Sequence, residues 1–519
     1  MSENTNIKKA AGIIGGATFL SRISGFIRDM VIAGLFGSGL SADAFFAAFR
    51  ISNLFRRLFA DGAMTVAFIP AFTRHLANHG KSEAFRFAFS AMKILSVFLG
   101  LVVVAGIFFS PLIVHIIAPG FVGIEKKFLL TVSLTRLMFP YLFFICMVAL
   151  SMGILNSLGH FAGPAFAPLV LNIAIIGSVF VISPLLENPV TGLAIGVLIG
   201  GVLQLAIQAP FLSKKGFRIT QKADFFHPEL KTTGKLMIPA MFGAAVYQVN
   251  VLVDTLLGSW LSEGSVSYLY YADRLVQFPV GIIVASTATA VLPSLSRQAL
   301  KKDLKELEQT LIRSLKLVLF ITIPAMIGLI VLREPVVAIL FERGAFDSQA
   351  TLATGSAILY YGIGIWAFSG VRILVTGFYA LQDTRTPCLI AGVSVIFNFV
   401  LSIILMRYSG HCGIALATSL ASGLNFVLLV AAMHKYIRFT GVAGSVCKTL
   451  VCSLIMGAGV IMFSMFIISP KGLWGLIANI ITGVMLFAGL SYLIMPCELR
   501  SVLSGFGNFK KIKKGSTTL

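Results

Sequence analysis

Seven arginines sit inside stretches that are otherwise apolar: Arg22, Arg28, Arg50, Arg56, Arg57, Arg274 and Arg372. A guanidinium stays charged at any working pH and presents a planar fork that matches two oxygens of one phosphate. At the centre of a membrane helix a charged side chain costs about 2.5–3.5 kcal/mol, so it normally faces a cavity or a partner. A cluster of this kind suits an anionic, phosphorylated ligand. A site for cationic drugs would carry acids and aromatics instead.

Spacing sorts the cluster. In Ser21-Arg22-Ile23-Ser24-Gly25-Phe26-Ile27-Arg28-Asp29, Arg22 and Asp29 are seven apart and share a helix face. Arg28 lies roughly 120° from Arg22 on a straight helix, so both reach one cavity only if it is wide or the helix bends near Gly25. The competing reading is snorkelling to the interface, or an ion pair between the neighbours Arg28 and Asp29. Downstream, Asp43, Arg50 and Arg57 recur at seven-residue steps as one stripe with Asn53 beside it, and Arg56 is turned away by about 100°. The Arg57–Asp61 spacing permits an i,i+4 pair, so one of Arg56 and Arg57 is expected to be structural and the other to face the cavity. The pattern does not say which. Asp273 either orients Arg274 or neutralises it. Asp254, alone among Val249–Leu257, reads as an ion or proton site, and Asn398 and Thr418 add oxygens of the type hard cations prefer.

The elements that hold these residues must be membrane helices. The chain has 519 residues, 57% hydrophobic and only 12% charged, where soluble proteins carry about 25%. A mean hydropathy of +0.94 over this length needs many helices with lipid as solvent. Runs such as 94–114, 166–183 and 319–332 show no period-two alternation, which excludes an outer-membrane barrel. Backbone groups in lipid must pair within their own segment, so these runs are helices. Fourteen spans follow, the first over 11–35 and the last over 473–496.

Lys and Arg distribute unevenly around those spans. The N-terminus, the even-numbered connections and the C-terminal tail hold 27; the opposite side holds 7, namely Lys126, Lys127, Arg136, Arg333, Arg343, Arg407 and Lys471. The positive-inside rule then places both termini in the cytoplasm. A weak repeat offset by 223–224 residues links Ser41-x-Asp43-Ala44-Phe45-Phe46 to Ser265-x-Ser267-Tyr268-Leu269-Tyr270, and Pro164 to Pro387. Six helices per repeat give two lobes of like orientation, related by a pseudo-two-fold along the membrane normal. The expected fold is thus an all-α polytopic membrane protein of 14 transmembrane helices. It comprises an N-lobe over 1–212, a basic cytoplasmic linker over 213–233, a C-lobe over 234–440, two additional helices over 441–497 and a basic tail over 498–519.

Other classes fit poorly. The net charge of +21 is spread between apolar runs rather than gathered in a stripe, so no nucleic-acid partner is expected. The six cysteines form no C-x-x-C and read as packing residues. The sequence has no H-E-x-x-H, no Walker A and no arrangement of His, carboxylate and nucleophile, so neither a hydrolase nor an ATPase is expected. Energy would have to come from an ion gradient, the membrane potential or consumption of the substrate.

One family matches these features. Ser21-Arg22-x-Ser24-Gly25-Phe26-x-Arg28-Asp29, then Phe36-Gly37-x-Gly39-x-x-x-Asp43-Ala44-Phe45-Phe46, resemble the MurJ (MviN) lipid II flippases of the MOP exporter superfamily. So do Asn53-Leu54-Phe55-Arg56-Arg57-Leu58-Phe59-Ala60-Asp61-Gly62-Ala63 and Tyr270-Tyr271-Ala272-Asp273-Arg274-Leu275, with the fourteen-span plan. The resemblance implies a bacterial inner-membrane flippase for undecaprenyl-pyrophosphate-linked muropeptide, working by alternating access. It implies a substrate-binding set of Arg22, Arg28, Arg56 and Arg274, joined by Asp43 near the outer mouth and by Asp273. Gln277 stands where the family often has Glu. Asp254, Asn398 and Thr418 resemble three ligands of a sodium site, with Ser402 where a second acid would be expected. No resident cofactor is expected, only coupling to Na+ or H+. The polyprenyl tail is expected in a groove along spans 13 and 14, and cell-wall synthases are expected partners beside membrane lipids. A flippase for another polyprenyl-linked glycan, an ion-coupled drug exporter and a scaffold for cell-wall enzymes are the alternatives.

Overall fold

The computed structural model describes residues 3–57, 67–217, 228–470, 472–496 and 498–500. Asp61, residues 218–227 of the basic linker and the tail beyond Arg500 lie outside the described residues, and with them the Arg57–Asp61 pair. Among the described residues the chain is helical throughout, apart from one bridge between Arg343 and Phe346. The all-α expectation is met.

The contacts divide the chain into two compact units. The first holds residues 1–267 together with Arg343–Phe346, and the second the remainder. In the first unit the helices are α1 (Glu3–Phe36), α2 (Leu40–Arg56), α3 (Ile69–Phe108), α4 (Ser110–Ile117), α5 (Glu125–Met138), α6 (Tyr141–Ser157), α7 (Ala162–Val181), α8 (Val190–Lys214) and α9 (Pro228–Gly258). The helix α10 (Ser265–Pro279) starts in the first unit and passes into the second. There it continues through a π-helical stretch (Val280–Val284) into α11 (Ala285–Leu300). The second unit adds α12 (Leu304–Val331), α13 (Arg333–Phe341), α14 (Ser348–Gly362), α15 (Ile365–Ala380), α16 (Arg385–Met433), α17 (Val442–Phe466) and α18 (Leu473–Ile494).

Among the described residues, eight helices are long and apolar enough to cross a membrane, or nine with the bent pair α14–α15 counted as one span. The helices α1, α2, α9, α10 and α11 are not among them, and α2, α10 and α11 are each shorter than 18 residues. The helix α16 passes only once, although Gly410, at φ 55°, breaks it into two. For these segments the count of fourteen rests on the sequence reading.

Small residues set the closest packing of the first unit. Gly192, Gly196 and Gly200 recur every four residues along α8. A Cβ on Gly196 would stand 3.0 Å from the Ile175 Cα, and one on Gly200 3.2 Å from the Leu171 Cα, both on α7. Such stripes let membrane helices meet backbone to backbone and gain dispersion contacts where no hydrophobic force drives association. In the second unit, Phe320 of α12, Cys452 of α17 and Met495 share a buried cluster, and Leu332, Val460 and Leu476 form another. The added pair α17–α18 is therefore packed against α12.

Caps close several helices outside the apolar layer. Asp303 accepts from the Glu306 N–H at 3.0 Å, and Asp347 from the Ala350 N–H at 2.8 Å. Asp383 accepts from the Thr386 N–H at 3.0 Å, and hydrogen bonding to Thr386 holds its carboxyl below the usual range.

Candidate functional site

On α1, Arg28 is buried in a polar corner. Its Nε and Nη2 donate to Asp29 Oδ1 at 3.0 and 2.7 Å, and Nη1 donates to Asn172 Oδ1 on α7 at 3.1 Å. Asn172 returns its own Nδ2 to the Ser21 carbonyl at 3.1 Å and Ser24 Oγ at 2.9 Å. The Phe49 ring of α2 covers the guanidinium at 5.7 Å. The neighbour pair is thus present, and every guanidinium nitrogen already has an acceptor. Isolated burial of either ion would cost several kcal/mol, which the pairing offsets. Three of its five N–H groups are engaged in these bonds. Arg22 remains half-buried.

On α2 the heptad stripe runs along α9. Arg50 Nη1 donates to Thr255 Oγ1 at 2.7 Å, and Arg57 Nη1 to Gln248 Oε1 at 3.2 Å. Both helices step by seven residues between these bonds, in opposite chain directions, which is the register of an antiparallel pair. Arg57 thus reaches across to α9. Arg56 turns back to its own helix, Nε donating to Asn53 Oδ1 at 3.1 Å, and stays half-buried.

Asp43 ends the stripe. It is 1% exposed and accepts four hydrogen bonds: from Lys127 Nζ at 2.7 Å, the Gly264 and Ser267 N–H groups at 2.9 Å each, and Ser267 Oγ at 2.6 Å. The backbone donors belong to the opening turn of α10, so Asp43 of α2 serves as that turn's cap. A carboxylate fits there because unpaired N–H groups and the helix dipole favour negative charge. Its oxygens are committed to protein donors. Lys127, counted above with the loop charges, is 2% exposed and is corrected to a buried partner, with Phe121 beneath its ammonium at 4.3 Å. Glu125 and Lys126 beside it made it look like a loop residue. Only the alternation Lys127-x3-Thr131-x3-Thr135, all buried on one face of α5, could have revealed it.

The second unit supplies fewer charges. Arg274 and Asp273 are half-buried on α10, and Gln277 Nε2 donates to Asp273 Oδ1 at 3.3 Å, so a neutral amide fills the position where Glu was expected. Arg372 is exposed on α15. Asn398, Ser402 and Thr418 do come together, since both hydroxyls donate to Asn398 Oδ1 at 3.3 Å. These oxygens would suit a hard cation but carry no charge. Asp254 is buried on α9, in the first unit.

The sequence profile described as "Lipid II flippase MurJ" matches residues 32–483, most of the chain. The chain belongs to that family. The "Probable lipid II flippase MurJ" of Vibrio cholerae serotype O1 is 38% identical over 433 residues, 82% of each chain. The "Lipid II flippase MurJ" of Burkholderia cenocepacia is 34% identical over 434 residues, 83% of this chain and 84% of the other. A solved MurJ structure in an inward closed conformation superposes with a TM-score of 0.80 at 30% identity, covering 92% of this chain and 98% of that one. An inward-facing MATE transporter of the MOP superfamily gives 0.66 at 16% identity over 83% and 95%, which extends the fold to that superfamily. As a MurJ-family member the chain is a multi-pass membrane transporter and not a hydrolase.

Proposed function

We propose that this protein carries lipid II from the cytoplasmic to the outer leaflet of the bacterial inner membrane by alternating access, with both termini in the cytoplasm. The observation that carries the reading is the match to the lipid II flippase family over residues 32–483, and the first unit supplies the cationic groups, with Arg22 and Arg28 on α1 and Arg50 and Arg56 on α2. A pyrophosphate is the part of lipid II that needs such neutralisation, while its polyprenyl tail can stay in lipid. Arg274 is assigned the same role from the resemblance of Tyr270-Tyr271-Ala272-Asp273-Arg274-Leu275 to the family. An anion held more tightly in one conformation than in the other shifts the equilibrium between them.

The driving cation is assigned to Na+ or H+, with Asp254 as the acid that binds or releases it. In the second unit, Asn398, Ser402 and Thr418 gather neutral oxygens of the type a hard cation prefers. Cell-wall synthases are proposed as downstream partners that take the flipped precursor.

The test is exposure of the lipid II headgroup on the outer leaflet, in cells depleted of the protein and complemented with Arg22→Lys, Arg56→Lys or Arg274→Lys. Each variant keeps the charge and loses the fork, so headgroup exposure should fall at least about tenfold if one charge-assisted bond is lost. Full exposure in all three would refute recognition by the fork. Full exposure after depletion would refute the function itself. Asp254→Asn should remove dependence on the ion gradient.

A further inference from the structure

The first unit has a cavity on another face of α1 from the polar corner. It has a volume of about 380 Å³ and is lined by Ile27, Met30, Val31 and Leu35 of α1, Phe180 of α7 and, at one end, Arg343. Its α1 residues follow i, i+3, i+4 and i+8 along one face. Arg22 and Asp29 fall on the opposite face of the helix. Ile27, Leu35 and Phe180 are 46%, 52% and 60% exposed, as expected of side chains that face hydrocarbon.

What separates this cavity from an ordinary lipid-facing groove is the construction of its charged end. Arg343 lies on the short turn that the Arg343–Phe346 bridge closes, and Ala345 N donates to the Gly34 carbonyl at 2.8 Å. A Cβ on Gly34 would stand 3.0 Å from Arg343 Cγ, so α1 is bare where the arginine stem crosses it. Gly37, at φ +63°, leaves room for the Ala345 carbonyl in the same way. The glycines and the turn together hold a guanidinium over one mouth of an apolar trough.

We propose that this trough is a binding site for one anionic glycerophospholipid, an acyl chain along α1 and Phe180 and the phosphate on Arg343. The chemistry matches at both ends: apolar walls suit the chain, and the arginine fork suits a phosphodiester. Basic pockets between membrane helices bind anionic headgroups for the same reason. The lipid is a resident component rather than cargo, because the trough lies on the face of α1 opposite Arg22. With its phosphate on Arg343 and its chain against α1, it ties the 343–346 turn to that helix.

The test is native mass spectrometry of the full chain in detergent, titrated with phosphatidylglycerol or with phosphatidylcholine of identical chains. Wild type should retain one phosphatidylglycerol through delipidation and prefer it to phosphatidylcholine. Arg343→Gln should bind phosphatidylglycerol about tenfold more weakly, the scale of one charge-assisted hydrogen bond. Val31→Trp should fill the trough and exclude the lipid while Arg343 remains, and unchanged thermal unfolding shows that each variant is folded. Hydrogen exchange at Ala345 should quicken in both variants and slow when phosphatidylglycerol is added to wild type. Equal retention of the two lipids, or undiminished binding by Arg343→Gln, overturns the proposal. So does one-for-one displacement by lipid II that Val31→Trp abolishes, which would give the trough to the substrate's tail. These outcomes are independent of whether the protein flips lipid II.

Discussion

Arg28 and Lys127 are both buried cations of the first unit, yet they are neutralised over different ranges. Arg28 takes its counter-charge from the next residue, Asp29, and adds one amide from α7. Lys127 on α5 takes its counter-charge from Asp43 on α2, and that carboxylate also gathers the segment from Gly264 to Ser267. The first arrangement survives any shift of neighbouring helices, because the ion pair travels with α1. The second exists only while three segments remain together. A local pair makes a charge tolerable; a distributed one makes an assembly conditional.

The largest effect should come from breaking the distributed pair. Asp43→Ala leaves Lys127 buried without a counter-charge and should destabilise the protein by about 3–5 kcal/mol in detergent unfolding. Lys127→Met combined with Asp43→Asn should recover much of that loss, since neither residue is then charged. Asp29→Ala should cost less, about 1.5–3 kcal/mol, because Arg28 keeps Asn172 and the Phe49 face. Equal losses for the two alanines would erase the distinction between local and distributed pairing. Next in size, Thr255→Val removes the acceptor of Arg50 and should cost about 1–3 kcal/mol, loosening α2 from α9. Arg22→Lys and Arg56→Lys keep the charge and lose the fork, and should impair headgroup translocation while the variants remain folded in detergent unfolding.

The smallest effect concerns pH, at the start of α16. The Asp383 carboxyl is held below its ordinary range by hydrogen bonds to Thr386. A depressed carboxylate stabilises the fold above its unfolded-state pKa, and that contribution is lost as pH falls through the folded value. Asp383→Asn should flatten this acid limb in unfolding experiments without altering stability at neutral pH by more than a few tenths of a kcal/mol.

Much of this was readable from the chain because membrane helices leave few options. Apolar runs gave the all-helical class, and rare charges inside them marked α1, α2, α9 and α10 as the working elements. The seven-residue step from Asp43 to Arg57 correctly made one face, but that face belongs to an interhelical seam, since spacing along one helix carries no information about what stands opposite. Thr255 and Gln248 look ordinary in sequence and become legible only once α9 is laid antiparallel to α2. Lys127 was misplaced because charge counting treats a lysine near a helix start as solvated. Asn172 was missed outright, as a single amide in an apolar run has no periodicity to betray it. Asn398 and Thr418 lie together although Gly410 separates them, because a sharp break returns the chain alongside itself.

The glycine stripe on α8 bears on how the first unit could move. Where glycines bring two backbones together, the flanking side chains, Leu171 and Ser178 among them, are closely confined and have little room to change rotamer and absorb displacement. α7 and α8 then behave as one stiff beam. Asn172 is mounted on that beam and grips α1 through Arg28 and Ser24, so bending energy has nowhere to collect between them. Any swing of α1 would have to be passed on to α7 and α8 as a lever rather than be damped by loose packing.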